Sequence, residues 1–232
     1  MRQGDVLLQR WRIRMAARDL PQGAHVLDIG CSDGLLFNVL KGRIASGIGV
    51  DDDSVPEDYG DFRFIRGRAP DDLPSGETFD AITMLAVLEH IPTDAQRDLA
   101  EDCWALLKDN GRVICTVPSP KVDSLIRLGK RLSILDGMQE HEHYGFEPSH
   151  TVQLFVDRGF TLRRARRFQF GLNNLFVFAK VSPQVGGGAL APLSPSSRML
   201  RSYALAALRS SRSPDLQPVS RRGRHRPGSI SE

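Results

Sequence analysis

The sequence predicts an α/β fold built on a doubly wound, mostly parallel sheet that ends in an antiparallel hairpin. Three observations carry this prediction. Five short apolar runs recur between Ala24 and Val117, helical spacing or turn residues separate several of them, and two further predicted strands before residue 182 are joined by a single turn. Near-continuous apolar runs are typical of strands buried on both faces. The alternation therefore indicates a sheet covered by helices on both sides.

Size and composition fit one such domain with an appendage. The chain has 232 residues, of which 41% are hydrophobic and 25% charged, as in ordinary globular proteins. No run reaches the roughly 20 apolar residues that span a bilayer. The N-terminal apolar residues are interrupted by arginines, which a signal peptide would not allow, at positions 10, 12, 14 and 18. We therefore expect no transmembrane segment and a cytoplasmic location.

Seven strands are expected in chain order after an N-terminal helix within residues 1–22. The first five are predicted at Ala24–Ile29, Ser46–Val50, Phe62–Ile65, Phe79–Leu85 and Arg112–Val117. A helix at Asp94–Leu107 begins after Pro92-Thr93 and closes at Asn110-Gly111. A helix at Ser149–Asp157 precedes the final two strands, Phe160–Arg167 and Asn174–Val181, which a turn at Gly171 makes into a hairpin.

Two segments extend beyond this core. Residues 118–147 form a predicted lid-like insertion with an amphipathic helix at Lys121–Gly137. Residues 182–232 form a predicted flexible tail, rich in Ser, Pro and Arg, with a possible helix at Ser197–Leu208. The tail has eight arginines and two acidic residues, so the domain at residues 1–181 is left with a net negative charge. The tail is interpreted as a disordered extension, an interaction arm or a membrane-surface helix.

The turn after the first strand indicates a nucleotide site. Asp28-Ile29-Gly30 ends the strand, and Cys31-Ser32-Asp33-Gly34 leads into a helical run. Glycines at such a turn let a ligand approach the backbone near a helix start. The dinucleotide pattern G-x-G-x-x-G fails here because Ser32 and Leu35 occupy its later glycine positions. This counts against an NAD or FAD enzyme.

The segment Val26–Gly34 resembles the first motif of the class I, Rossmann-like, S-adenosylmethionine-dependent methyltransferases, with Ser32 where glycine is commoner. Further stretches resemble later parts of that family in the same order, from Ala24 to Lys180: Gly47–Asp51, Gly67-Arg68-Ala69, Phe79–Ile91 and Leu106–Arg112. The resemblance implies a Rossmann-like fold, a methyltransferase activity and S-adenosyl-L-methionine as the cofactor.

The resemblance also implies a set of cofactor-binding residues, which are Asp28, Gly30, Ser32, Asp51, Asp52, Arg68, Ala69 and Leu85. Independently, a carboxylate at the end of the second strand suits a ribose diol, which assigns Asp51. Its neighbours Asp52 and Asp53 are expected to face water.

Two of these positions have alternative interpretations. Asp28 either lies near the amino group of the ligand or caps the neighbouring turn. Arg68 stands where a carboxylate would contact adenine, and a guanidinium can only donate or stack. Asp71 or Asp72 would then take over this contact, or backbone groups at Ala69 would suffice.

Methyl transfer is a direct displacement, which needs a base only where the acceptor carries a removable proton. His143 and His90 are the predicted catalytic residues, with His141 and Glu142 as further candidates. His90 is alternatively a structural histidine that bonds backbone at the strand end. No metal is predicted, because the insertion lacks a third nearby histidine and the three separated cysteines are typical of reduced thiols: Cys31, Cys103 and Cys115.

The expected acceptor is a small molecule or a glycan-type compound. The alternatives are an RNA or protein methyltransferase that docks through the tail and the Arg10–Arg18 face, or a non-catalytic cofactor-binding module. The acidic domain and the scarcity of aromatic residues in the tail disfavour nucleic acid. The sequence indicates no oligomeric state.

Overall fold

A computed structural model describes residues 3–53, 55–119 and 148–181 of the chain. Within them, seven strands form one sheet in the order β3-β2-β1-β4-β5-β7-β6. The strands are β1 His25–Ile29, β2 Ser46–Asp51, β3 Phe62–Arg66, β4 Phe79–Leu85, β5 Leu107–Pro118, β6 Thr161–Phe168 and β7 Asn173–Ala179. Strands β1 to β5 pair in parallel, whereas β7 is antiparallel to both β5 and β6. The predicted mixed sheet with a C-terminal hairpin is confirmed.

Helices cover both faces of this sheet. The helices are α1 Gln3–Ala17, α2 Leu35–Leu40, α3 Thr93–Leu106 and α4 Pro148–Val156. Apolar residues of α1 and α2, such as Ile13 and Phe37, share one core cluster with alternate strand residues. Residues of α3 and α4, such as Cys103 and Phe155, share the other cluster with the remaining strand residues. The central strands are therefore buried on both faces, which explains their near-continuous apolar runs.

The boundary between α3 and β5 differs from the prediction. The helix ends at Leu106, and β5 begins at Leu107 instead of Arg112. Leu107 pairs with Phe79, and an irregularity in the β4–β5 register follows before Arg112 pairs with Ala81. Asn110, with a φ of +62°, lies within this strand. Pairing with β4 thus takes Asn110-Gly111 into the sheet, and the pair does not close the helix.

Several predictions concern residues outside the described ranges. These are most of the insertion with its helix at Lys121–Gly137, the residues His141, Glu142 and His143, and the tail with its helix at Ser197–Leu208. The domain limits at 1–181 and 182–232 therefore stay predictions. Among the helices that the structure describes, none is long and apolar enough to cross a bilayer.

The order in which strands are added to the sheet reverses between β1 and β4: β2 and β3 extend the sheet on one side of β1, and β4 and β5 extend it on the other. Strand β1 pairs with β2 on one side and with β4 on the other. In open α/β sheets, ligands bind beyond the carboxyl ends of the strands at such a switch point. The carboxyl ends of β1, β2 and β4 therefore define the place to examine for a functional site.

Candidate functional site

The turn formed by residues 30–34 after β1, called here the glycine turn, is hydrogen-bonded to β2. The backbone N–H groups of Gly30 and Cys31 donate to the carbonyl oxygen of Val50 at 2.8 Å and 3.2 Å. Gly30 has a φ of +74°, and a Cβ at this position would lie 2.4 Å from Cγ2 of Val87. Since Val87 belongs to the turn after β4, only glycine lets the two turns pack together.

Asp51 fixes this turn to the end of β2. One carboxylate oxygen accepts the Ser32 N–H at 2.9 Å, and the other accepts the Asp53 N–H at 3.0 Å. Each oxygen has a second lone pair, so the carboxylate can still accept hydrogen bonds from a ligand. The side chain therefore combines the role of a turn acid with the capacity predicted for a ribose contact.

Asp28 is buried beneath the same turn, with 4% of its surface exposed. The Thr83 hydroxyl on β4 donates to its Oδ1 at 2.6 Å. Burial raises the pKa of Asp28 to about 7, although the Thr83 bond acts in the opposite direction. Its side-chain partner in the structure is thus a hydroxyl of the neighbouring strand, whereas the capping interpretation expected backbone amides of the turn.

Helix α1 covers Asp28 and the turn after β1. Gln9, Arg12 and Ile13 lie on one face of α1. They line a cleft together with Asp28, Gly30, Cys31, Leu36 and Leu85. Two hydrogen bonds hold α1 in this position: the Gln9 side chain donates to Asp33, and the Gln169 side chain donates to the Leu8 carbonyl oxygen.

Gln9 and Arg12 line the cleft but were not predicted from the sequence as site residues. A signal was present, since Gln9, Arg12, Ile13 and Ala16 have the spacing of one helical face, and Ile13 and Ala16 are buried. The sequence suggested a docking surface for the Arg10–Arg18 face and no role at the cofactor.

The predicted adenine region is held by two acidic residues. The Arg68 guanidinium pairs with Asp52 at 2.9 Å, and both side chains are exposed. The Arg68 N–H donates to Asp72 at 2.8 Å, while Ala69 packs against the core. Asp72 is therefore engaged in its own turn, and Arg68 is drawn toward the end of β2.

The turn after β4 carries both predicted and unpredicted candidates. Leu85, at the end of β4, lines the cleft. His90 is exposed, and its backbone N–H donates to Val87. Its neighbour Glu89 points inward, with 9% of its surface exposed, and burial raises its pKa to about 7. His90 was predicted at this turn from the sequence, whereas the buried Glu89 was not.

The cysteines and metal ligands give a simple result. Cys31, Cys103 and Cys115 are buried free thiols, as expected, and burial raises the pKa of each. Among the described residues, no group of three or more His, Cys, Asp or Glu side chains is placed to hold a metal ion. His143 lies outside these residues.

Comparison with known proteins agrees with this geometry. A family profile described as a methyltransferase domain matches residues 2–165. The chain belongs to the class I S-adenosylmethionine-dependent methyltransferases. The resemblance of the Val26–Gly34 segment to this family, and with it the prediction of S-adenosyl-L-methionine as the cofactor, is confirmed.

Individual relatives of this methyltransferase domain match only part of it in sequence. The ubiquinone biosynthesis O-methyltransferase of Coxiella burnetii is 32% identical over 101 residues, which cover 40% of this chain and 42% of the relative. The enzyme of the same name from Pseudomonas aeruginosa is 32% identical over 102 residues, covering 39% and 43%. The matches thus span less than half the length of these relatives.

Solved structures resemble the methyltransferase fold over most of the chain. One is the Burkholderia thailandensis 1,6-didemethyltoxoflavin-N1-methyltransferase, with a TM-score of 0.59, 21% identity, and coverage of 77% of this chain and 82% of the other. Another is the magnesium protoporphyrin IX methyltransferase of Synechocystis, with a TM-score of 0.52, 20% identity, and coverage of 75% and 81%. At these identities the likeness concerns the fold.

Proposed function

We propose that this chain transfers a methyl group from S-adenosyl-L-methionine to a small-molecule or glycan-type acceptor. The observation that carries the proposal is the arrangement at the switch point of the sheet. Asp28 and Gly30 line a cleft beneath α1, and Asp51 accepts a hydrogen bond from the turn that follows Gly30, in a chain that belongs to a methyltransferase family.

The residues fit the parts of this cofactor. Asp51 accepts the ribose hydroxyls with its remaining lone pairs. Arg12 and Asp28 line one cleft, where the Arg12 guanidinium suits the carboxylate of the methionine moiety and Asp28 offers an oxygen that accepts a hydrogen bond from its ammonium. When bound, the cofactor supplies a methyl group on a sulfonium that is open to direct displacement. The Gly30 backbone allows the close approach that this position requires.

The other predicted contacts complete the cofactor site. Ser32 lies in the glycine turn, and its N–H holds Asp51 in place. Ala69 supplies apolar surface for the adenosine, and Leu85 supplies apolar surface in the cleft assigned to the methionine moiety. Arg68 and Asp52, paired with each other, flank its adenine side at the rim.

The enclosure of the site supports a small acceptor. Among the described residues, Gln9, Arg12 and Ile13 of α1 cover one side of the cleft, which suits a small acceptor better than a nucleic-acid strand. The domain at residues 1–181 is net acidic, which disfavours a polyanion. The relatives include enzymes named for ubiquinone biosynthesis and for 1,6-didemethyltoxoflavin, both small compounds.

A labelled-methyl partition experiment tests this proposal. The purified full chain is incubated with S-adenosylmethionine labelled in the methyl group and a cell extract divided into low-molecular-mass, RNA and protein fractions. We expect transfer into the low-molecular-mass fraction. Transfer confined to the RNA or the protein fraction would contradict the proposed acceptor class while leaving the methyltransferase activity intact.

A further inference from the structure

The turn after β4 buries a carboxylate that the cofactor contacts above leave unused. Glu89 is 9% exposed, and its Oε2 is buried without a hydrogen-bond partner among the described residues. Buried polar atoms are normally paired, and an unpaired one needs an explanation. A ligand group that donates a hydrogen bond provides that explanation.

The position of this carboxylate links it to the cofactor cleft. Val87, two residues earlier, lies against Gly30, and the Ala86 N–H donates to the Thr116 carbonyl oxygen at 3.0 Å. The turn is thus held between the glycine turn and the end of β5. Arg12, which lines the cleft with Asp28, is the cation that acts on Glu89 from α1.

A second polar atom at this edge is also unsatisfied. The Thr116 hydroxyl on β5 is buried without a hydrogen-bond partner among the described residues. Thr116 pairs with Leu85, the last residue of β4. The turn after β4 and the β5 residue that pairs with Leu85 therefore each carry a buried polar atom with spare hydrogen-bonding capacity, and Leu85 itself lines the cleft.

We propose that Glu89 binds the acceptor and removes its proton, and that the acceptor carries its nucleophile as a hydroxyl or as a protonated nitrogen. This inference rests on the proposed function. Glu89 Oε2 takes the proton from the acceptor atom, which forms its bond to the methyl carbon. The carbon–sulfur bond breaks and its electron pair stays on sulfur, giving a neutral thioether. The protonated Glu89 afterwards releases its proton to solvent.

The surroundings of Glu89 suit a base that works near neutrality. Burial raises its pKa to about 7, against the lowering influence of its own backbone amide and of Arg12. The Cys115 thiol of β5 stays protonated, because burial and the Glu89 charge raise the pKa of that thiol. Arg12 and Cys115 are thus the titratable or charged groups that act on Glu89 from α1 and β5.

The test compares Glu89→Gln with the wild-type chain and with Glu101→Gln, a control on the exposed face of α3. Two readouts are used: the thermal shift caused by S-adenosylhomocysteine, and the pH dependence of labelled methyl transfer to the low-molecular-mass extract fraction. We expect Glu89→Gln to keep the thermal shift, to lose about 100-fold or more of the transfer rate, and to lose the rise in rate between pH 6 and 8. The control keeps both.

Unchanged transfer and an unchanged pH profile in Glu89→Gln would overturn the inference and leave the proposed function standing. A wild-type chain without any thermal shift would overturn both. If Glu89→Gln does not fold, Glu89→Asp decides, because it keeps the carboxylate one methylene farther away. A reduced rate with the pH dependence retained supports the base, and an unchanged rate contradicts it.

Discussion

At the scale of single residues, Gly30 is a position where one added carbon should be costly. Gly30→Ala would place its Cβ 2.4 Å from Val87 in a backbone of positive φ. Gly76→Ala is the matched control, because Gly76 also has a positive φ but its Cβ would meet nothing within 4 Å. We expect the control to lose on the order of 1 kcal/mol of unfolding free energy and Gly30→Ala clearly more.

Urea unfolding of the two variants measures this difference. Adding Val87→Ala to the Gly30 variant should restore part of the lost stability, because it removes the atoms that clash. Equal losses at the two glycines would show that the β4 turn does not restrict position 30.

Asp28 makes the stability of the cofactor-free protein depend on pH. Its pKa is about 7 in the fold against an ordinary value of 3.8. The folded state therefore holds a proton that the unfolded state has lost between about pH 4 and 7. The stabilisation from this proton is complete below pH 4 and is lost as the pH rises to 7, by up to roughly 1.4 kcal/mol per pH unit.

Asp28→Asn removes this titration. Its unfolding free energy should fall less steeply from pH 4 to 7 than that of the wild-type chain, measured by urea unfolding without cofactor. Glu89 still titrates in the variant, because burial also raises its pKa to about 7, so part of the slope remains. An identical slope in the two proteins would show that Asp28 is charged in the fold.

At the scale of elements, the packing of α1 on the sheet decides whether the cleft is covered. Ile13 lies on the buried face of α1 and is 1% exposed, whereas Leu7 on the same helix is 64% exposed. We expect Ile13→Ala to lower the unfolding free energy by about 2–5 kcal/mol and to weaken S-adenosylhomocysteine binding. Leu7→Ala should change neither by a measurable amount. Urea unfolding measures the stability, and calorimetric titration measures the affinity. Equal stability and equal affinity in the two variants would contradict the claim that the buried face of α1 covers the cleft.

The elements also show how far sequence reasoning reaches. Burial on both faces gives the central strands near-continuous apolar runs, and these runs predicted strands such as Phe79–Leu85. Turn chemistry misled the prediction at Asn110-Gly111, because pairing of β5 with β4 overrides a local helix-stop signal. Local patterns describe what a segment prefers, and the register of a strand depends on its partner.

The residues of the candidate site follow from the sequence where they belong to strand ends. Asp28 and Asp51 follow directly from the β1 and β2 runs, since parallel strands present their carboxyl ends at one edge. Arg12 and Glu89 were missed because their importance depends on how α1 and the β4 turn pack over that edge. Side chains that reach a site from covering elements leave only a weak periodic signal in the sequence.

At the scale of the whole molecule, the β6–β7 hairpin forms one edge of the described sheet. Asp19, after α1, accepts from Arg164 of β6 at 2.8 Å, and its carbonyl oxygen accepts from Arg112 of β5. These contacts join the start of the domain to its end. We therefore predict that a chain ending at Val181 unfolds in one cooperative transition, with a midpoint close to that of the full chain in thermal circular dichroism. A broad or strongly lowered transition would mean that the tail belongs to the folded unit.

The central claim is that the edge formed by β1, β2 and β4 binds the methyl donor through Asp51. Calorimetric titration with S-adenosylhomocysteine tests it most directly on three proteins: the wild-type chain, Asp51→Ala, and Asp61→Asn as a control at the opposite end of the sheet. The account predicts saturable binding to the wild-type chain and the control, with affinity for Asp51→Ala reduced by at least about tenfold, because the ribose and the glycine turn both lose an acceptor. No binding to the wild-type chain, or equal affinity in all three, would contradict it.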